Sequence, residues 1–195
     1  MNAHVTNSPT DVDRPDAARQ RVSADTVRAC QQGDHAAFHE LYTLCSRAVY
    51  GLMVRMVGRE NADDLTQQVF LQVFRAIGQF SGHSRIETWI HRLAVNEALQ
   101  HIRRHGREKT QTLQHDPADR AHEHSGRLEK KDLLDQALAR VDPELRSLFL
   151  LREVEGFSYA ELAEAVAIPE GTVGSRLNRA RRELKHHLSD LGWKD

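Results

Sequence analysis

Along NADDLTQQVFLQVFRAIGQF, residues 61–80, the apolar residues Leu65, Val69, Val73 and Ile77 return at every fourth position. Such a stripe marks a helix buried along one side. Asn61 stands as its N-cap, and Asp63 and Asp64 place carboxylates in its first turn, where the helix dipole favours them. Upstream, AAFHELYTLCSRAVYGLMVRMVG has dense apolar spacing and ends on a capping glycine, Gly58. Downstream of the break FSGHSR, the segment IETWIHRLAVNEALQHIRR sets Ile86, Ile90, Leu93, Ala94, Ala98 and Ile102 on one side of a further helix. Trp89 lies beside that stripe and reads as core.

The pattern then stops. HGREKTQTLQHDPADRAHEHSG has almost no apolar residues and no period. A structureless stretch of about 20 residues is foreign to a compact domain, so it reads as a linker. Periodicity resumes with the amphipathic LEKKDLLDQALARV. Asp142-Pro143-Glu144 is an N-cap with proline at the first helical position, opening PELRSLFLLREVE, which runs to Gly156. Ser158 and Glu161 form a capping box for the short helix YAELAEAV. The turn AIPEG leads into a last helix with Val173, Leu177, Ala180, Leu184 and Leu188 as its apolar stripe. No repeat of fixed period is visible.

The expected fold is all-α: two small helical domains joined by a flexible linker. A disordered N-terminal tail covers residues 1–22, the first domain 23–104, the linker 105–127 and the second domain 128–195, which contains a helix-turn-helix. Composition agrees: 39% of the 195 residues are hydrophobic, 28% charged and only 6% aromatic, a balance that builds helical cores. The longest apolar runs are only a few residues, too short for a membrane helix. MNAHVTNSPTDVDRPDAARQR lacks the apolar region of a secretory signal. Cys30 and Cys45 make neither a disulfide framework nor a CxxC metal site, which fits a reduced, cytoplasmic protein. The net charge of −1 excludes a uniformly basic nucleic-acid coat, so any DNA affinity must come from segregated charge.

That segregation is found in the last helix. From Glu170 to Leu188 there are five Lys or Arg against two Glu. With the apolar stripe turned inward, Ser175, Arg176, Asn178, Arg179 and Arg182 are left on the other side. A short capped helix, a turn and a longer helix with an arginine face describe a helix-turn-helix. Its second helix enters the DNA major groove. Arginine suits guanine O6/N7 and phosphates, and asparagine suits adenine. Gly174 sits in the first turns of this helix, where it costs about 1 kcal/mol relative to alanine. It either permits close approach of a phosphate or partner, or is a tolerated loss of contact.

Three passages, ADDLTQQVFLQVF, FSGHSRIETWIHRLAVNEALQHIRR and DPELRSLFLLREVEGFSYAELAEAVAIPEGTVGSRLNRARREL, resemble in content and order a bacterial RNA polymerase sigma factor of the compact, two-domain extracytoplasmic-function group. The resemblance spans about residues 25 to 188 and is specific because two unrelated motif sets occur at the right separation. It implies that the first domain binds core RNA polymerase and opens the −10 element of promoter DNA, while the second reads the −35 element. The family's core-binding positions fall on Asp63, Asp64, Leu65, Gln67, Gln68, Phe70 and Leu71. The loop Phe80-Ser-Gly-His83-Ser84-Arg85 corresponds to the one that holds a base of the melted −10 strand. Phe80 would supply an apolar wall and His83, Ser84 and Arg85 polar contacts. Arg92, Asn96, Gln100, Arg103 and Arg104 would track the adjoining duplex. Thr172, Ser175, Arg176, Asn178, Arg179 and Arg182 would contact the −35 element.

The chain departs from the family's pattern at Gln68, where Glu is frequent, at His83, where an acidic residue is common, and at Gln100, Gly174 and Asn178. Promoter preference is therefore not transferable. The resemblance further implies an anti-sigma factor as a partner and a linker threaded through the polymerase. It implies no catalytic residue, cofactor or metal. Twelve histidines invite a metal reading, through His101 and His105 at helical spacing and His122 and His124 in the linker. Neither an HExxH motif nor ligands on ordered elements support it. The alternative in another class is a stand-alone helix-turn-helix regulator that binds duplex DNA unaided.

Overall fold

The computed structural model of the chain describes residues 22–111 and 126–193. Its elements are helices: α1 (Ala24–Gln31), α2 (His35–Val57), α3 (Arg59–Ala76), a 3-10 turn (Ile77–Gln79), α4 (Ile86–Gln111), α5 (Gly126–Arg140), α6 (Pro143–Glu153), α7 (Tyr159–Val166) and α8 (Glu170–Asp190). The tail to residue 21 and the linker stretch 112–125 lie outside the described residues. The helix α4 runs past Arg104 to Gln111, and α5 starts at Gly126, so helices enter the expected linker from both ends.

Local chemistry sets most of the ends. Asp34 accepts from Ala36 N and Ala37 N at the start of α2. Gly58 closes α2 and opens α3 with φ 89° and no side-chain cap. This left-handed angle favours glycine and turns the chain sharply between two helices. The helix α3 therefore begins at Arg59, and Asn61 is already inside it rather than capping it. Asp142 accepts from Glu144 N and Leu145 N with Pro143 in the first turn. The helix α6 ends at Glu153, earlier than the expected Gly156. The capping box forms as expected, with Glu161 N donating to Ser158 Oγ and Ser158 N to Glu161 Oε2. A left-handed Ala167 then stops α7, and α8 follows after a short turn.

All four residues of the α3 stripe, Leu65, Val69, Val73 and Ile77, are buried. They pack with Leu41, Val49 and Met53 of α2 and Ile90 and Ala94 of α4. Leu148, Leu151, Leu162, Val173 and Leu177 are the corresponding buried residues of α6, α7 and α8. The two helix sets also pack on one another: α2 against α5 and α6, and α4 against α6 and α7. Arg146 of α6 is buried in this seam. It donates from Nη1 to Met56 O at the end of α2 (3.0 Å), and from Nη2 to Ala139 O (2.7 Å) and Val141 O (2.9 Å).

Candidate functional site

Three surfaces carry the expected functional residues. On α3, burial of Ala62, Leu65, Thr66, Val69 and Val73 turns the opposite side outward. Asp63, Asp64, Gln67, Gln68 and Leu71 are exposed there and Phe70 is half-buried. Leu65 is a correction: at 3% exposure it belongs to the core and cannot reach a partner. The surface is also larger than the sequence indicated. Phe74 is 51% exposed, beside Leu71 at 53%, and Tyr42 of α2 is 45% exposed. The Tyr42 ring stands edge-on to Phe70 at 4.7 Å, and Phe38 packs on Phe74 at 4.7 Å. Aromatic rings thus bridge α2 and α3 at the surface. Such an apolar centre bordered by carboxylates and amides has the anatomy of a protein interface. Sequence reading missed Phe38, Tyr42 and Phe74 because their grouping depends on how the two helices pack. The one available signal was that Phe74 follows Phe70 and Leu71 at helical spacing.

The second surface is the loop after the 3-10 turn and the helix it feeds. Gln31 of α1 donates from Nε2 to Ile77 O (3.2 Å) and Phe80 O (2.9 Å), fastening the loop's entry. Phe80 is half-buried, its ring 5.5 Å from that of Trp89, so an apolar wall is present and Trp89 is engaged with it. Gly82 takes φ 75°, and the exposed His83 follows. Arg85 is turned onto carboxylates: Nε stands 3.5 Å from Glu87 Oε2 and Nη1 3.4 Å from Glu161 Oε1 of α7. Along α4, Arg92, Asn96, Gln100 and Arg103 are all exposed, at spacings of three and four that align them on one face. Arg104 sits to the side of that row, pairing through Nη2 with Glu97 Oε1 at 3.2 Å. The buried Glu97 also accepts from Gln72 Nε2 at 2.7 Å, which ties α4 to α3.

The third surface is α8. Val173, Leu177, Ala180 and Leu184 are buried, with Ser175, Asn178, Arg179 and Arg182 exposed on the far side. Thr172 and Ser175 turn their hydroxyls back onto Pro169 O and Thr172 O, at 2.7 and 2.9 Å. Arg179 Nε pairs with Glu183 Oε1 at 2.9 Å, and Asn178 Oδ1 accepts from Arg181. Arg176 lies at the edge of the face, where Nη1 is 3.8 Å from Glu144 Oε2. Gly174 is directed at α7: a Cβ there would meet Tyr159 Cε2 at 3.6 Å, an ordinary contact. The packing of α7 on α8 therefore does not require the glycine.

Among the described residues no group of three His, Cys, Asp or Glu could hold a metal ion. His122 and His124 lie outside those residues. No described helix is long and apolar enough to cross a membrane.

The comparisons agree with this geometry. Sigma-70 region 2 matches residues 41–108, and Sigma-70 region 4 matches residues 131–184. The RNA polymerase sigma-H factor of Pseudomonas aeruginosa is 32% identical over 186 residues, covering 88% of this chain and 96% of that one. The ECF RNA polymerase sigma-E factor of Haemophilus influenzae is 31% identical, covering 89% and 99%. In fold the chain is similar to CnrH, solved with the cytosolic domain of CnrY, at TM-score 0.68 and 19% identity over 87% of this chain and 98% of that one. It is similar also to the sigma factor RpoE of Bartonella quintana, solved with the anti-sigma factor NepR, at TM-score 0.63 and 24% identity over 78% and 96%. Region 2 thus carries the aromatic surface and the loop, region 4 carries the arginine helix, and the chain belongs to the sigma-70 family as an ECF RNA polymerase sigma factor, a promoter-directing initiation factor and not an enzyme.

Proposed function

We propose that the α2–α3 surface, with Leu71 and Phe74 at its centre and Asp63, Asp64, Gln67 and Gln68 around it, binds core RNA polymerase. The loop 80–85 takes an unstacked base of the −10 element against Phe80, with His83 and Ser84 offering hydrogen bonds. Arg92, Asn96, Gln100 and Arg103 follow the adjoining backbone, and Arg104 lies at the flank of that row. Ser175, Arg176, Asn178, Arg179 and Arg182 of α8, with Thr172 at its start, face the −35 major groove. The observation that carries this reading is the pair of aligned, exposed polar faces on α4 and α8 beside a separate apolar surface on α2 and α3. Two DNA readers and one protein-binding surface are what a polymerase-dependent initiation factor requires.

The setting follows from the partners: promoter DNA and polymerase place the chain in the cytoplasm. CnrH and RpoE were solved with protein partners, NepR being an anti-sigma factor, and this supports an anti-sigma factor as a further partner here. Run-off transcription with purified core polymerase on genomic promoter fragments tests the reading. Arg176→Ala with Arg179→Ala is expected to lower promoter-dependent initiation at least tenfold, since each lost arginine–base or arginine–phosphate contact is worth about 1–3 kcal/mol. Unchanged promoter use by the double variant would remove the −35 assignment. Equally tight promoter binding without polymerase would favour the stand-alone regulator instead.

A further inference from the structure

Carboxylates meet several of the arginines assigned to DNA, but not at the same nitrogens. Glu144, at the start of α6, stands 3.2 Å from Arg103 Nη2 and 3.8 Å from Arg176 Nη1. Those contacts fall on terminal nitrogens, the atoms that a base edge or a phosphate would need. Glu183 of α8 differs. Its Oε1 accepts from Arg179 Nε at 2.9 Å. That nitrogen lies at the root of the guanidinium, so the two terminal nitrogens are left to meet an outside pair of acceptors.

The carboxylate is itself held. Glu183 Oε2 accepts from Asp142 N at 3.2 Å. Asp142 is the N-cap of α6, and its Oδ1 accepts from Glu144 N at 3.0 Å and Leu145 N at 3.1 Å. A line of hydrogen bonds thus runs from the fixed start of α6 through Glu183 to the guanidinium. Glu183 is 27% exposed and Arg179 64%, so the holder is set back toward the domain and the held group stands out from it.

An ordinary surface pair at helical spacing does not account for this arrangement. Acid before base is the better order along a helix, and here the base comes first. The second oxygen, moreover, binds the backbone of another helix. A carboxylate on a DNA-reading helix also repels phosphates, and by charge alone it weakens binding. Ordering acts the other way: a long side chain already held in one rotamer has less freedom to lose when DNA binds. With Nε engaged, the terminal nitrogens form a planar fork that fits two acceptors side by side, as in guanine O6 and N7 or two oxygens of one phosphate.

We propose that Glu183 is a positioning residue of the −35 reader. Tied to the α6 cap, it fixes the Arg179 guanidinium so that the terminal fork is presented to the major groove, and it touches no DNA itself. This rests on the assignment of Arg179 to the −35 element and adds how that arginine is aimed.

The test uses holoenzyme, core polymerase with the full-length chain. Its affinity is measured for a fluorescein-labelled genomic promoter fragment on which the wild type initiates, and for the same fragment with its −35 bases scrambled. The ratio of the two affinities cancels any uniform gain from lost negative charge. Alanine is a strong helix former, so α8 persists in Glu183→Ala. That variant is expected to lower the ratio about fivefold, the effect of leaving one long side chain to be immobilised on binding. In an Arg179→Ala background the same substitution should leave the ratio unchanged, because no guanidinium remains to be aimed. A full ratio in Glu183→Ala would overturn the proposal. An equal loss in both backgrounds would overturn it too, since that marks a plain tether between α6 and α8. Failure of the underlying assignment shows separately: Arg179→Ala alone would then keep the wild-type ratio.

Discussion

Arg146 places a guanidinium inside the protein with both terminal nitrogens on backbone carbonyls and its Nε without a partner. Burial pushes its pKa below the ordinary guanidinium value, partly offset by the nearby Asp142. The group stays charged at neutral pH because that ordinary value is so high. Arg146→Leu strands three carbonyls, two of them outside α6 at the end of α5 and one at the end of α2. Each buried acceptor left unpaired costs about 1–3 kcal/mol. We expect a fall of at least 2 kcal/mol in unfolding free energy, read by calorimetry. An unchanged transition would show that the carbonyls find other donors. Gly174 gives the opposite case. Its added Cβ would touch Tyr159 without clash, so Gly174→Ala should stabilise α8 by about 0.8 kcal/mol. The site faces α7 and not the arginine side, so run-off transcription should be retained. Its loss would revive the close-approach reading.

At the scale of elements, what was readable in advance followed from residues close in the chain. Ser158 and Glu161 are three apart, and their reciprocal hydrogen bonds set the start of α7 as the pattern implied. The end of α4 was misjudged for a physical reason. HGREKTQ has no apolar stripe, which suggested a linker, yet most of its residues are adequate helix formers and no proline interrupts it before Pro117. The start of α3 was misplaced because Gly58 serves as a cap for two helices at once, which no single-helix signal describes.

Glu161 makes the element's pH dependence calculable in sign. Burial acts to raise its pKa. Hydrogen bonds from the Ser158 backbone and hydroxyl, then Arg85 and Thr88, outweigh burial and hold the carboxyl below its ordinary value. A depressed folded value means the stabilisation is complete above the unfolded value, about 4.3. It disappears as pH falls through the lower folded value. The thermal midpoint of the wild type should therefore decline in this acid range more steeply than that of Glu161→Gln. Parallel declines would show that Glu161 contributes nothing to the pH response.

At the scale of the whole molecule the surface proposed for polymerase and the faces proposed for DNA are separate, so a substitution can address one without the other. Leu71 and Phe74 are exposed and make no part of the buried core. Phe74→Ser should leave the fold intact and weaken association with core polymerase. A central aromatic in an interface is worth 2 kcal/mol or more, about thirtyfold in affinity. Competition against a labelled wild-type chain measures it, and an unaltered affinity would move the polymerase contact elsewhere. Arg182→Ala, by contrast, lies on the face proposed for DNA and should leave polymerase binding as it is.

The sequence alone determined the helices, the sides they bury and the residue types on the faces left over, because periodicity and capping depend on residues within a turn of each other. It therefore contained the α3 stripe, the arginine face of α8 and the family resemblance. Only the tertiary structure decided which charges meet. Glu144 lies 41 positions from Arg103 and 32 from Arg176, and nothing in local spacing relates the three. The aromatic band across α2 and α3 and the burial of Arg146 at Met56 likewise arise from helix packing. Coulomb interactions and desolvation depend on distance through space, so these pairings are settled by how the two helix sets rest on each other.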